Sequence, residues 1–288
     1  MDKFIDKSMQ ILKQNLDANA QNPALNLDSS DKFAMNLDQN LTKNLVFDEK
    51  SDKNSDNKDK FADEISAKTE EIQDRFTRSR ALFGLNFTKL QNARVLVCGC
   101  GGVGGACIEA LYRCGVVNLS VIDCDIFEIT NQNRQFGSEN LGAKKCDFFA
   151  NKFDGISPIF SKIDDEFMAK FDFSKFDFVI DAIDDICAKI ALADICFKKK
   201  IPFISSCGSA KRLNPAMIEI CSIWKTCGDP FAKKIRYELK KLPYKIEYPV
   251  VFSREIPQTK SMGSFMGVTA SFGMFLASFV VQKLIEKL

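Results

Sequence analysis

The sequence predicts an α/β fold: a doubly wound, mostly parallel sheet with helices on both faces, followed by a C-terminal α+β extension. Two observations lead to this prediction. Short apolar runs of strand length alternate with segments of helix length from Arg75 to Cys207, and such alternation is typical of a parallel sheet covered by helices. A glycine-rich turn, GCGGVG, joins the first of these strands directly to a helix, as in nucleotide-binding α/β folds.

The elements follow from the chain in order. A short helical segment, RFTRSRALFG, precedes the strand RVLVCG, and the alternation then runs through a helix near 104–114, the strand LSVIDCD, a helix around 143–153, the strand FDFVIDAID, a helix at 186–199 and the strand PFISSC. After residue 207 the pattern is less regular. It predicts a strand at 217–223, a helix at 230–241, a strand near 248–252 and a long apolar helix at 265–284.

The last of these helices has two interpretations. It carries no charged residue between Lys260 and Lys283, which is compatible with a membrane span. Glycine, serine and threonine are frequent in it, however, and a helix buried in a protein core has the same hydropathy. We therefore expect a core helix and no membrane partner.

The first 71 residues differ in composition from the rest. They are rich in Asn, Asp, Lys and Ser, and the triplet NLD occurs at Asn15, Asn26 and Asn36. Such a segment cannot bury enough apolar surface to offset its ordering entropy. The predicted organisation is a low-complexity, disordered extension at 1–71, a nucleotide-binding domain at 72–207, and at 208–288 an extension of the same domain that carries the substrate side and the closing helix.

The composition excludes several kinds of chemistry. The 288 residues include eleven cysteines and no histidine, and no two cysteines are spaced as C-x-x-C. Zinc sites of the usual kinds, histidine acid–base catalysis and Ser/His or Cys/His nucleophile pairs are therefore excluded. No signal peptide opens the chain, so a cytoplasmic protein with reduced thiols is expected.

The net charge of +2 conceals an asymmetry. Residues 1–74 contain 10 lysines and 16 acidic residues, whereas residues 186–260 contain 15 basic and 6 acidic residues. A basic C-terminal half favours a polyanionic partner such as nucleic acid, although solvated surface lysines would give the same count.

The glycine-rich turn is the first part of a nucleotide site. Gly99, Gly101, Gly102 and Gly104 give G-x-G-G-x-G between an apolar strand and a helix, where glycines let the backbone approach a phosphate and the helix N-terminus stabilises its charge. Asp123 ends the next strand, at the position of a ribose-binding carboxylate. These features predict a Rossmann-like adenine-nucleotide site without choosing between a dinucleotide and ATP.

The residues that follow favour ATP. Asn131 and Arg134 lie in TNQNRQ and Lys145 lies in LGAKK; converging cations suit a triphosphate that loses pyrophosphate, whereas hydride transfer does not need them. Asp184 in VIDAIDD follows the next strand, and a carboxylate beside a polyphosphate is a typical Mg²⁺ ligand. We therefore predict ATP and Mg²⁺ as the bound species, with Arg134, Lys145 and Asp184 in catalytic roles.

The order of these motifs resembles the ubiquitin-activating-enzyme superfamily in its small bacterial form. The resemblance covers 75–288 through R-F-T-R, G-x-G-G-x-G, D-x-D, N-x-N-R-Q, G-x-x-K and D-x-x-D. It implies that Asn131, Arg134 and Lys145 hold the ATP phosphates and that the protein is a homodimer. It also implies that Arg78 of R-F-T-R is a catalytic arginine that reaches into the neighbouring subunit's site.

A second resemblance narrows the activity. SIWKTCGDPFAKKIRYELKK is similar to the K-T-x-x-D-P-(L/F)-A-x-x-x-R-x-x-L-(K/R) signature of the tRNA threonylcarbamoyladenosine dehydratases. This implies ATP-dependent cyclisation of N6-threonylcarbamoyladenosine beside the tRNA anticodon, through adenylylation of its carboxylate. The resemblance leaves room for a sulfur-transfer accessory protein.

Under this interpretation the basic residues of the C-terminal half would follow the tRNA backbone. The candidates are Lys198, Lys199, Lys200, Lys211, Arg212, Lys233, Lys234, Arg236, Lys240 and Lys241.

Two alternatives stay open at this point. One is an adenylyltransferase that activates the C-terminus of a ubiquitin-like sulfur carrier, for which Cys207 would be the thiol to suspect; the absent C-x-x-C pairs argue against it. The other is a non-catalytic nucleotide-binding or membrane-associated scaffold. Such a protein would not require the set of polar residues described above, which comprises Arg78, Asn131, Arg134, Lys145 and Asp184.

Overall fold

The computed structural model describes residues 73–286, so the predicted extension at 1–71 lies outside the described residues. Its central element is a seven-stranded sheet with the strand order β3-β2-β1-β4-β5-β7-β6. The strands are β1 (Val95–Cys98), β2 (Leu119–Asp123), β3 (Ser157–Phe160), β4 (Phe178–Asp181), β5 (Phe203–Ser206), β6 (Ile218–Ser222) and β7 (Pro249–Ser253).

All neighbouring strands are parallel except β6 and β7, which pair antiparallel. On one side of β1 lie β2 and then the edge strand β3. On the other side lie β4, β5, β7 and the edge strand β6. This arrangement places a topological switch point between β1 and β4, where ligands of doubly wound folds bind. The predicted fold class is confirmed, including the α+β extension that supplies β6 and β7.

Eight helices occur among residues 73–286. They are α1 (Thr77–Phe83), α2 (Phe87–Asn92), α3 (Gly102–Cys114), α4 (Lys145–Lys152), α5 (Asp165–Lys170), α6 (Ile186–Lys199), α7 (Pro230–Leu239) and α8 (Met266–Glu286). Three of them begin after an aspartate that caps the helix, namely Asp164 before α5, Asp185 before α6 and Asp229 before α7. The Asp185 carboxylate accepts the Ala188 N–H at the start of α6, and that of Asp229 accepts the N–H groups of Phe231 and Ala232 at the start of α7. Such caps satisfy backbone donors that the first helical turn leaves open.

The core has two halves, one on each face of the sheet. Val95 and Val97 of β1 pack with residues of α3, α4 and α8, whereas Leu96 and Cys98 pack with residues of α6 and α7. Alternate residues of a strand point to opposite faces, so a central strand covered on both sides must be apolar throughout, as β1 is.

Helix α8 is long and apolar enough to cross a membrane by length and composition alone. In the structure, Val268, Phe272, Leu276 and Val280 are fully buried in the core that also contains residues of α3. The two helices approach closely at Gly273, where a Cβ atom would lie 2.3 Å from the Val103 carbonyl oxygen. This packing favours the core-helix interpretation.

The sequence failed to predict β3 and α5. Strand β3 is the edge strand of the sheet, it contains Pro158, and three of its four residues are exposed. An exposed edge strand lacks the apolar run by which a central strand is recognised. Helix α5 has six residues and no buried side chain, so it gives no periodic apolar pattern either.

Candidate active site

A cleft of about 1160 Å³ opens at the carboxyl ends of β1, β2, β4 and β5. Eight of the predicted site residues line it: Gly99, Gly101, Gly102, Asp123, Asn131, Arg134, Lys145 and Asp184. The other walls come from the C-terminal extension, through residues 206–212, the start of α7 and the segment before α8. Because the predicted residues come from five separate segments, it is the topology that brings them together.

The three glycines of G-x-G-x-x-G have different surroundings. Gly99 has φ +96°, a left-handed conformation that L side chains rarely adopt, and it makes the turn out of β1. A Cβ atom on Gly104 would lie 1.8 Å from the Gly99 carbonyl oxygen, so Gly104 allows α3 to pack against the turn. Gly101 has free space beside its Cα atom, because an added Cβ atom would meet only the Gln135 side-chain amide, at 3.8 Å. The Gly101 backbone is therefore the part of the turn that a phosphate can approach.

We predict that Gly101→Ala weakens ATP binding about tenfold and leaves the melting temperature within about 2 °C of wild type, because the added methyl enters the cleft and not the core. Isothermal titration with ATP and thermal unfolding measure the two quantities. Gly263→Ala, where a Cβ would meet nothing within 4 Å, is the control. An unchanged ATP affinity in Gly101→Ala would show that no phosphate lies against this turn.

Asp123, the last residue of β2, stabilises the glycine-rich turn through hydrogen bonds. Its carboxylate oxygens accept the Cys100 N–H at 2.6 Å and the Asp125 N–H at 2.8 Å. Burial raises the pKa of this carboxyl above its ordinary value, although the two N–H groups act in the opposite direction. Each carboxylate oxygen has a second lone pair, so Asp123 can still accept a hydrogen bond from a ribose hydroxyl.

The three predicted phosphate ligands differ in how they are held. The Lys145 ammonium donates to the Asp125 carboxylate at 2.8 Å, and Lys145 is buried while Asp125 is exposed. The Arg134 guanidinium donates to the Thr130 carbonyl and to the Asn133 side chain through one nitrogen, so its other N–H groups can serve a phosphate. The Asn131 side-chain oxygen accepts the Glu128 N–H, and this contact fixes the turn that carries Arg134.

Asp184 is an exposed carboxylate on the wall of the cleft, directly before the residue that caps α6. Mg²⁺ at nucleotide sites is commonly held by one or two carboxylates together with phosphates and waters, so Asp184 fits the predicted metal role. Among the described residues, one group of three possible ligands has its atoms close together: Asp123, Cys124 and Asp125. Asp123 already accepts two backbone N–H groups and Asp125 pairs with Lys145, so Asp184 is the better candidate.

Gln135 is a site residue that the sequence analysis missed. It is 8% exposed and lines the cleft, and within the described part of the chain its side-chain oxygen has no hydrogen-bond partner. A buried polar atom without a partner is costly, so this amide is available to a bound molecule. The available signal was its position directly after Arg134 in NRQ.

A fully buried ion pair lies beneath the cleft between β4, β5 and α6. The Lys189 ammonium donates to the Asp181 carboxylate at 3.0 Å, to the Ser205 hydroxyl at 3.2 Å and to the Ser206 carbonyl at 2.8 Å. The other Asp181 oxygen accepts the Ile183 N–H at 3.2 Å. This network ties together the two strand ends that carry Asp184 and Cys207. A lysine among the apolar residues of the first turns of the helix at 186–199 was its signal in the sequence.

Two of the candidate tRNA contacts, Arg212 and Arg236, are engaged within the protein. Arg212 is buried; it donates to the carbonyls of Gly208 and Ala210, and it lies 3.2 Å from Asp229 in an ion pair without hydrogen-bond alignment. Arg236 is half-buried and donates to Thr226. The Arg212 guanidinium is thus occupied in shaping the wall of the cleft, where residues 208–212 pack against the start of α7. The Arg236 guanidinium is occupied by Thr226, outside the cleft lining.

Arg78 does not line the cleft of its own chain; it is an exposed residue of α1. The structure describes a single chain, so the predicted reach into a partner's site stays a prediction. Gly104 also lies behind the cleft wall and not on it, for the packing reason given above.

The chain is similar to several known proteins. The ThiF family model matches residues 76–288. The chain is 38% identical over 192 residues to a tRNA threonylcarbamoyladenosine dehydratase of Bacillus subtilis (strain 168), a match that covers 63% of this chain and 75% of that protein. It is similar to the crystal structure of E. coli tRNA N6-threonylcarbamoyladenosine dehydratase, TcdA, in complex with ATP, with a TM-score of 0.71, 30% identity, and coverage of 74% of this chain and 94% of that one. The chain therefore belongs to the ThiF family.

Proposed function

We propose that this protein is an ATP-dependent tRNA threonylcarbamoyladenosine dehydratase. The observation that carries the proposal is the cleft itself. It combines an open glycine-rich turn with Arg134, Lys145 and Asp184, in a chain that is similar over most of its length to an ATP-bound dehydratase. The substrate is a tRNA whose threonylcarbamoyladenosine carries a free carboxylate, and the second substrate is ATP.

The first step is transfer of AMP to the carboxylate. A carboxylate oxygen attacks the α-phosphorus of ATP, the bond to the bridging oxygen breaks, and pyrophosphate leaves. Negative charge grows on the phosphate oxygens during this step, and Lys145 and Arg134 are the cations of the cleft that stabilise it. Asp184 would hold Mg²⁺, which supplies further neutralisation of the triphosphate when bound.

The second step needs no protein nucleophile. The carbamoyl group of the same modified base attacks the activated carbonyl, the ring closes, and AMP leaves with the original carboxylate oxygen. The net change in the nucleoside is the loss of one water. A substrate that supplies its own nucleophile is consistent with a chain that has no histidine.

Cys207 is a poor candidate for the thiol that the sulfur-carrier alternative calls for. It is 5% exposed, and burial raises the pKa of its thiol, with the Asp229 carboxylate adding to the shift. A thiol with a raised pKa carries little thiolate at neutral pH. We predict that Cys207→Ser keeps at least about half of the wild-type dehydratase rate; Cys207→Ala, which removes the polar atom, is the control for packing. Loss of activity in both variants, with unchanged melting temperatures, would restore Cys207 as a functional residue.

The test of the proposed activity is pyrophosphate release from ATP with two tRNAs. One carries threonylcarbamoyladenosine and the other is the same tRNA without the modification. We expect release only with the modified tRNA, and a product nucleoside lighter by one water (~18 Da) in mass spectrometry. If a preparation that binds ATP released no pyrophosphate with either tRNA, the tRNA substrate would be rejected and a ubiquitin-like protein substrate would be favoured.

We extend the proposal to a homodimer in which Arg78 completes the neighbouring site. Its exposure on α1, outside the cleft of its own chain, supports this role. Arg78→Ala and Lys145→Ala should each be inactive alone, and mixing them after subunit exchange should recover about one quarter of wild-type activity, since half of the dimers would be mixed and each would have one intact site. No recovery in a sample shown to exchange subunits would place Arg78 in its own site or in none.

The cytoplasmic location and a sulfur-transfer accessory protein stay predictions from the sequence.

A further inference from the structure

Helix α7 has a basic face beside the cleft, and we infer that this face holds the backbone of the tRNA. The inference rests on the proposed function and adds a specific binding surface to it. We define the basic face of α7 by Lys233, Tyr237, Lys240 and Lys241. These residues follow the spacing i, i+4, i+7 and i+8, which places them in one stripe along a helix and its first residues beyond.

The position of α7 connects this stripe to the reacting atoms. Asp229, Pro230, Phe231 and Lys234 line the cleft, so the helix begins in the cleft wall and extends away from it. The opposite side of α7, with Ala232, Ile235 and Leu239, is buried in the core. A substrate nucleotide bound in the cleft would therefore have its flanking backbone within reach of the exposed side.

The charges of the stripe are largely uncompensated. Lys233 and Lys240 are exposed, and neither has an ion pair within residues 73–286. The single acidic side chain of α7 is Glu238, which Lys241 already pairs with at 2.7 Å. Lysines that project into solvent beside a substrate site attract phosphates through counterion release.

An aromatic side chain lies between these lysines. Tyr237 is 64% exposed, and the Lys241 ammonium lies 4.5 Å from its ring centroid. A large apolar ring left in solvent between cations is suited to packing against a ribose or an unstacked base, which is how proteins commonly hold RNA loops.

Of the seven remaining basic candidates, Lys211 and Lys234 line the cleft itself, and the other five lie elsewhere or are occupied. Arg212 and Arg236 are held by Asp229 and Thr226. Lys198, Lys199 and Lys200 lie at the end of α6. This helix of 14 residues begins at the cleft and runs toward the amino ends of the strands. Lys200 borders a separate cavity at the amino ends of β4, β5 and β7. These three lysines therefore provide a control of equal charge at the amino ends of the strands, away from the cleft.

The experiment compares two triple variants, K233Q/K240Q/K241Q and K198Q/K199Q/K200Q, with wild type. Each removes three positive charges from exposed positions. The affinity for tRNA carrying threonylcarbamoyladenosine is measured across a series of KCl concentrations, independently of turnover. We expect the α7 variant to bind at least about tenfold more weakly at physiological salt and its salt slope to fall by about 2 to 3, while the α6 variant stays within about twofold of wild type. Tyr237→Ala is expected to weaken binding about fivefold or more.

Equal affinities for wild type and the α7 variant would overturn the inference, and so would an equal loss in both triple variants. Unchanged melting temperatures and ATP affinities exclude misfolding as the cause of a loss. Because binding is measured without turnover, a wild-type protein that binds this tRNA but does not dehydrate it would contradict the proposed function alone. A wild-type protein that does not bind the tRNA would reject both.

Discussion

The Lys145→Ala variant is expected to lose about 100- to 1000-fold in kcat for tRNA-dependent pyrophosphate release, the usual cost of removing one preorganised group that stabilises transition-state charge. Of the two cations predicted to hold the phosphates, Lys145 is the more strictly fixed, since it is buried and its ammonium is 2.8 Å from the Asp125 carboxylate. The fold should tolerate the change, because Asp125 is 63% exposed at its side chain and stays solvated without a partner.

Lys144 supplies the matched control, because it precedes Lys145, is exposed, and does not line the cleft. Its ammonium lies 4.5 Å from the Phe160 ring on the surface. Lys144→Ala should keep kcat within about twofold of wild type. Single-turnover measurement of pyrophosphate release separates the chemical step from product release. Similar rates for the Lys145 and Lys144 variants would remove Lys145 from the mechanism.

The central strands could be predicted from the sequence because a strand that is buried on both faces must be apolar at nearly every position. Strand β1 is apolar at all four positions, and the helix at 186–199 was predicted at the bounds that the structure gives it. Peripheral elements leave no such pattern, so β3 and α5 were missed. The insertion of β7 between β5 and β6 is a long-range pairing, and the local pattern of a strand does not specify its neighbour.

The site could be predicted to the extent that its residues follow strand ends in a known topology. Asp123 ends a strand and Gly101 and Asp184 each lie just beyond one, and parallel strands bring such positions together at the carboxyl end of the sheet. The Arg212–Asp229 pair depends on how the C-terminal extension packs over the carboxyl ends of the strands, which residue spacing does not reveal. Charge alone misled the sequence analysis at Arg212, because a buried arginine and a surface arginine look the same in a composition count.

The buried Lys189–Asp181 pair has the largest expected effect on stability. Both side chains are completely inaccessible to solvent, so Lys189→Met would leave an uncompensated carboxylate in the core. Breaking a buried pair in this way costs about 3–5 kcal/mol in the free energy of unfolding. The Ser205 hydroxyl would still donate to Asp181 at 2.6 Å, but a neutral donor does not balance the charge.

The double variant Lys189→Met/Asp181→Asn separates the charge from the packing. Asparagine keeps an acceptor for the Ile183 N–H and removes the charge, so the double variant should recover about half or more of the stability lost in Lys189→Met. Urea unfolding monitored by the fluorescence of Trp224 measures both values. A loss below about 1 kcal/mol in Lys189→Met, or a double variant less stable than the single one, would contradict an ion pair that matters through its charge. Because the same network fixes the backbone beside Asp184, ATP affinity should fall in Lys189→Met and recover together with stability in the double variant.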